Sequence, residues 1–166
     1  DEWGADILRY LSASSGLGED VAYPEKELIA GKRFINKLWN ASKFVFMNLE
    51  DWNHKAPKEF QEIDKQFLLR LNKLIQSCTQ SFEKYEYSKV KLELEKFFWQ
   101  DFTSNYLEIV KHRIYNAKGD VKRSAQYALY QCLLAILKII SPITPFITEE
   151  IYQTYFKKTE KIKSIH

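Results

Sequence analysis

Glycine and proline are scarce. Five Gly and four Pro in 166 residues amount to about 5%, against roughly 12% in average usage, which argues against many short strands joined by tight turns. No apolar run approaches the ~20 residues of a membrane span, and Asp1-Glu2-Trp3 is unlike the basic start of a secretory signal. The only two cysteines, Cys78 and Cys132, each sit among helix-spaced apolar residues. They read as reduced core thiols, and the setting expected is cytoplasmic. His54, His112 and His166 show no metal-ligand spacing with one another or with the cysteines. Catalytic motifs are missing as well. Gly16-Leu17-Gly18 lacks the third glycine of a dinucleotide loop, and there is no Walker-type loop, no H-E-x-x-H and no nucleophile elbow. A free-standing enzyme is not expected.

What is present is helical periodicity. Trp3, Ile7, Leu8 and Leu11 predict a short first helix, followed by a Ser- and Gly-containing connector to Gly18. A long second helix starts near Pro24, with Glu25 and Glu27 in its first turn, and carries Leu28, Ile35, Leu38, Val45 and Leu49 to about residue 49. Residues 50–58 lose the pattern and read as a loop. A third helix over about 59–84 has Ile63, Phe67, Leu71, Leu74, Cys78 and Phe82 on its core face. Tyr85-Glu86-Tyr87 interrupts it. The fourth buries Val90, Leu94, Phe97, Phe98, Phe102, Leu107, Ile109, Val110 and Ile114, with Gly119 as its left-handed cap and Asp120 as the next N-cap. The fifth, about 121–140, is apolar enough to be central. Ser141-Pro142 stops it, and Thr144 caps a last helix that turns Phe146, Ile147, Ile151, Tyr152, Tyr155 and Phe156 inward. A lysine-rich tail, 157–166, follows with no visible stop. The class expected is all-α, an antiparallel helix bundle.

The net charge of +3 names no partner, but its distribution is uneven. Residues 25–49 hold five basic side chains against two acidic, residues 111–138 six against one, and residues 50–64 two against five. Arg33, Asn36, Lys37, Asn40 and Lys43 step by three and four along one face of the second helix. Cations that neutralise phosphates, beside amides that donate and accept at base edges, are the chemistry of a nucleic-acid surface. Lys111, His112 and Arg113 form a second basic group, near Tyr106 and Tyr115, which could stack on bases. The carboxylates Glu93, Glu95, Asp101 and Glu108 read as solvated partners of neighbouring lysines.

Trp3-Gly4-Ala5-Asp6-Ile7-Leu8-Arg9-Tyr10, Ser12-Ala13-Ser14-Ser15 and Gly18-Glu19-Asp20-Val21 stand in an order and spacing that resemble the C-terminal part of the valyl-tRNA synthetase family. So do Arg33 to Phe44 (Arg-Phe-Ile-Asn-Lys-Leu-Trp-Asn-Ala-Ser-Lys-Phe), Phe102 to Lys111 and Ile143 to Tyr152. The resemblance covers residues 1–156. It implies a bundle of the class I synthetase anticodon-binding type. Residues 1–22 would be a stem-contact and connector segment, and residues 23–156 the anticodon-binding domain. It also implies that the chain is part of a longer ATP-dependent ligase whose catalytic and editing domains lie elsewhere. ATP with magnesium would serve the parent enzyme, and no cofactor is expected in this part.

Carried over onto this sequence, Asn36, Lys37, Asn40 and Lys43 would lie against the anticodon loop, with Lys111 at the end of a second contacting helix. Helical geometry extends the set to Arg33, Phe44 and Arg113. Phe67 and Trp39 read as core. The partner implied is valine tRNA, through its anticodon loop and stem, with the chain monomeric and no membrane involved. The same domain of an isoleucyl- or leucyl-tRNA synthetase is the nearest alternative. A helical protein-interaction module with no RNA role is the alternative of another class.

Overall fold

The computed structural model describes residues 3–18 and 25–166, and every regular element among them is helical. In chain order these are α1 (Ala5–Ser12), α2 (Glu25–Met47), α3 (Glu62–Glu83), α4 (Tyr87–Lys96), a π-helical segment π1 (Phe97–Tyr106), α5 (Leu107–Asn116) and α6 (Gly119–Ile140). They are followed by α7 (Pro145–Ile151), a second π segment, π2 (Tyr152–Phe156), and α8 (Lys157–Glu160). An all-α bundle results, as its periodicity predicts. The Gly-Glu-Asp-Val connector at 18–21 and the proline start at Pro24 fall wholly or partly outside the described residues.

α6 is the axis. Ala125, Ala128, Leu129, Cys132, Leu133, Leu137 and Ile140 are all buried, and α2, α3, α4, α5 and α7 pack around it. Both thiols are free and buried. Burial, with the charge of Glu93 nearby, pushes the Cys78 thiol up to about 12, and burial alone raises that of Cys132 well above the usual range.

The helix from α4 through α5 shows how sequence sets its unusual bonding. Val90, Leu94, Phe98, Phe102, Tyr106, Val110 and Ile114 recur every fourth residue, and all are buried. At 3.6 residues per turn such a stripe drifts by about 40° per step, so over this length it would wind from the core into solvent. The wider turns of π1, in the middle of the run, absorb the drift and keep one face inward. One correction follows. Ile109, expected in the core together with Val110 and Ile114, is 49% exposed, because the rephased helix keeps those two inside and turns Ile109 outward.

α3 differs in a related way. It begins at Glu62 rather than near 59, since Gln61 remains extended and donates its backbone N–H to Ser124 Oγ at 2.9 Å. Its buried stripe runs Asp64, Phe67, Leu71, Leu74, Cys78, Ser81, so a carboxylate replaces Ile63, which is exposed, and Phe82 is only half-buried.

α1 is pinned to the far end of the chain. Its Asp6 carboxylate accepts the backbone N–H groups of Phe146 (3.2 Å) and Ile147 (2.7 Å), the free donors of the first turn of α7. Arg9 donates to the carbonyls of Ile143 (3.0 Å) and Pro142 (2.7 Å). Thr144 does occupy the N-cap position of α7, but its hydroxyl makes no cap bond, so the capping oxygens come from α1 instead. This pinned first turn leaves Phe146 outside, 66% exposed, in contrast to its expected inward place. Tyr10 stacks on Phe34 of α2 at 4.9 Å, and Gly31 makes room for it, since a Cβ there would lie 3.1 Å from the Tyr10 ring. Asp6→Ala is expected to cost about 1–2 kcal/mol by removing the cap. In a thermal melt that is a fall of about 2–8 °C, whereas Asp6→Asn, which keeps one acceptor, should fall less.

At the other turns, Gly119 does have positive φ (63°), but it opens α6 while Ala117 caps α5. Asp120 lies inside α6 and pairs with Arg123. The tail folds back on its own helix. Lys161 turns left-handed, and Ile162 and Lys163 offer carbonyls to Tyr152 and Gln153. Glu149 then accepts from Ser164 Oγ and from the Ile165 N–H, both at 3.0 Å. No helix among the described residues is long and apolar enough to cross a membrane.

Candidate nucleic-acid interface

α2 owes its exposed ridge to what it buries. Leu28, Phe34, Leu38, Ala41 and Val45 face the core, which turns Arg33, Asn36, Lys37, Asn40 and Lys43 to solvent along the opposite side. Among the described residues, the side chains of Arg33, Asn36, Lys37 and Asn40 have no hydrogen-bond or ion-pair partner. Lys43 lies over the half-buried Trp39, its ammonium 5.4 Å from the ring centroid. Trp39 is thus packed against the core rather than presented as a platform.

The second basic group divides in two. Lys111 comes alongside α2 and helps to line a pocket of about 190 Å³ with Lys37, Asn40, Phe44, Thr103 and Glu108. Its ammonium is 2.6 Å from Glu108 Oε1 and 5.7 Å from the centroid of the half-buried Phe44 ring. Sequence positions 37–44 and 111 therefore face one another across a groove with an aromatic wall, an amide, two cations and one carboxylate. Spacing along the chain does not place Thr103 or Glu108 there. The only sequence signal for Glu108 is its i,i+3 position relative to Lys111, which reads as an ordinary surface pair.

Arg113 is held elsewhere. Its guanidinium donates to both oxygens of Asp64, at 2.7 and 2.6 Å, and Asp64 is 0% exposed. Tyr106 donates to the same carboxylate at 2.6 Å, and so does Ser124, at 2.5 Å. The hydrogen bonds to Asp64 raise the pKa of Arg113, and burial together with the Asp64 charge raises that of Tyr106. Tyr106 is closed to bases, since it is 2% exposed and lies flat on Phe67 at 3.7 Å. Phe67 is core, as expected. Tyr115 and His112 are exposed but lie outside the groove.

Residues 64–166 match the family model described as the anticodon-binding domain of tRNA ligase. Over its length the chain is also similar to proteins named valine--tRNA ligase. It is 41% identical to that of Ehrlichia canis (strain Jake) over 99% of the chain and 21% of the relative. The corresponding protein of Rickettsia felis is 39% identical, over 100% of the chain and 20% of the relative. That of Wolbachia sp. subsp. Brugia malayi is 40% identical, over 94% and 19%. The chain spans about a fifth of the length of these relatives.

Proposed function

The chain belongs to the anticodon-binding domain family of tRNA ligases, and from that premise we propose that it is the part of a valine-tRNA ligase that holds the anticodon loop and stem of valine tRNA. The observation that carries the reading is the unpartnered ridge of α2, with the Lys111 groove along its flank. Lys37, Lys43, Lys111 and Arg33 neutralise loop phosphates, Asn36 and Asn40 meet base edges, and Phe44 offers a ring face to an unstacked base. Arg113 takes the structural role that its ion pair describes.

The contribution is binding rather than bond-making. The valine, ATP and magnesium of ligation belong to the parent enzyme, and this domain acts by fixing where the whole tRNA sits relative to that distant chemistry. The parent works in the cytoplasm, and this domain is monomeric. Residues 1–22 connect it to the rest of the enzyme and touch the tRNA stem.

The test is a titration of the chain with the anticodon stem-loops of valine tRNA and isoleucine tRNA across a salt series. Tighter binding of the valine stem-loop, by about tenfold or more for one bidentate base interaction, together with falling affinity at higher salt, is the expected result. Tighter binding of the isoleucine stem-loop would favour an isoleucine-type surface, and equal binding of both an unspecific one. No binding of either would favour the protein-interaction reading.

A further inference from the structure

On the other flank of the α2 ridge lies a second, larger pocket of about 730 Å³. Phe44 lines the first pocket and Phe46 the second, and two helix positions separate side chains by about 200°. Lys43 lines the second pocket while standing on the ridge itself, so the two surfaces are continuous.

The second pocket has a fixed aromatic back wall. Phe46 stacks on Tyr155 at 4.4 Å with planes 9° apart, and meets Phe156 edge-on at 4.8 Å. Tyr130 touches Phe156 at 5.0 Å and Trp52 at 5.1 Å, and the Trp52 ring lies 4.9 Å from that of His54. His54 itself is held at φ 59°, an uncommon conformation for a non-glycine residue. Trp52 anchors that loop, since it is buried and donates its indole N–H to the Lys55 carbonyl at 3.1 Å.

The rim has a different character. Met47 projects 71% exposed beside Lys43, and Lys158 faces across from α8 with no ion pair among the described residues. The exposed Lys161 and Lys163 continue the positive charge along the folded-back tail. Glu50 is the single carboxylate in the lining.

We propose that the pocket formed by Lys43, Phe46, Met47, His54, Tyr155 and Lys158 is a second nucleotide site. It takes one further unstacked RNA base from the loop held by the α2 ridge, with the flanking phosphates on Lys43 and Lys158. Three features favour a nucleotide over an apolar peptide. The rim is cationic on two sides, the polarizable Met47 and the imidazole of His54 offer faces rather than a deep greasy slot, and the surface continues the anticodon-facing ridge. Base stacking on such a wall tolerates any base, while Glu50 accepts from bases that carry an amino group. The wall is built before the ligand arrives, so little ordering opposes binding. This inference rests on the anticodon reading above.

The probe is the valine anticodon stem-loop carrying 2-aminopurine at each loop position in turn. In the unsubstituted chain one position is expected to change fluorescence on binding in a way that Met47→Glu abolishes, with about a tenfold or greater loss of affinity. Lys158→Ala should weaken binding several-fold and lower its salt dependence, whereas Leu92→Ala, exposed on α4 and outside both pockets, should leave that fluorescence signal in place. Met47 and Lys158 are exposed, so neither change threatens folding. If Met47→Glu binds like the unsubstituted chain and every position keeps its signal, the second site is overturned while the anticodon reading stands. If the unsubstituted chain binds no stem-loop at all, the anticodon reading falls, and the second site with it.

Discussion

Arg113→Ala is expected to lower the melting temperature of the chain by about 6–20 °C without changing its affinity for RNA at temperatures where it remains folded. Removing the guanidinium strands the wholly buried Asp64 carboxylate. Breaking a buried pair from one side costs about 3–5 kcal/mol, and in a domain of this size each kcal/mol is worth about 2–4 °C. Tyr106 and Ser124 would keep their bonds to the carboxylate, but neutral hydroxyls replace water poorly around a buried anion. Arg113→Lys keeps the charge without the two-pronged geometry, so its melt should fall between the two. Asp64→Asn leaves the guanidinium unpaired, but that group is partly open to water, its side chain 16% exposed, and the destabilisation should be smaller. Differential scanning calorimetry with a parallel stem-loop titration checks all three. A melt within 2 °C of the unsubstituted chain, or a selective loss of RNA binding by Arg113→Ala, would move Arg113 back to the RNA surface.

The second large effect is the mirror image. Lys37→Glu with Lys43→Glu should reduce affinity for the valine stem-loop by about 100-fold or more, at about 1.4 kcal/mol or more for each charge-assisted hydrogen bond removed. The slope of log affinity against log salt should shrink by about 0.7 for each phosphate released. Stability should hold within about 0.5 kcal/mol, because both side chains are exposed and neither ammonium has an ion-pair partner among the described residues. Lys111→Ala should act in the same direction but less strongly, since Glu108 already holds part of its charge. Asn40→Ala should alter which base is preferred more than how the affinity depends on salt. Together with Arg113→Ala, these variants separate residues that meet RNA from residues that hold the bundle.

Helix positions were legible because apolar residues at steps of three and four mark a buried face whatever lies opposite. The phase of the helix over α4, π1 and α5 was not. Ile109 and Val110 are neighbouring apolar residues that both read as core, and only the π bonding of π1, whose Phe97, Phe102 and Tyr106 rings pack on Phe67 of α3, shows which of them stays inside. Asp64 was illegible for a different reason. A carboxylate at a core position reads as a surface charge until its partners, 42, 49 and 60 residues further along, are seen beside it. The same gap placed Arg113 among the RNA-facing residues, since nothing local says that its charge is already engaged. The ridge of α2 could be read from spacing alone. Its groove with Lys111 could not, because that groove is made by two helices that meet only in the fold.

The cap that Asp6 supplies to α7 spans 140 residues of chain. In kinetic terms it closes a ring of nearly the whole bundle, and loop-closure entropy must be met before that bond returns anything. The hairpin of α3 with α4 can assemble from neighbouring residues, and α1 can lean on α2 through Tyr10 and Phe34, but its Asp6 bonds wait until α7 has been made and docked. Of these helices α1 is thus the earliest synthesised, yet the two bonds from its Asp6 to α7 are among the last that can form, and losing them is a local opening at that end.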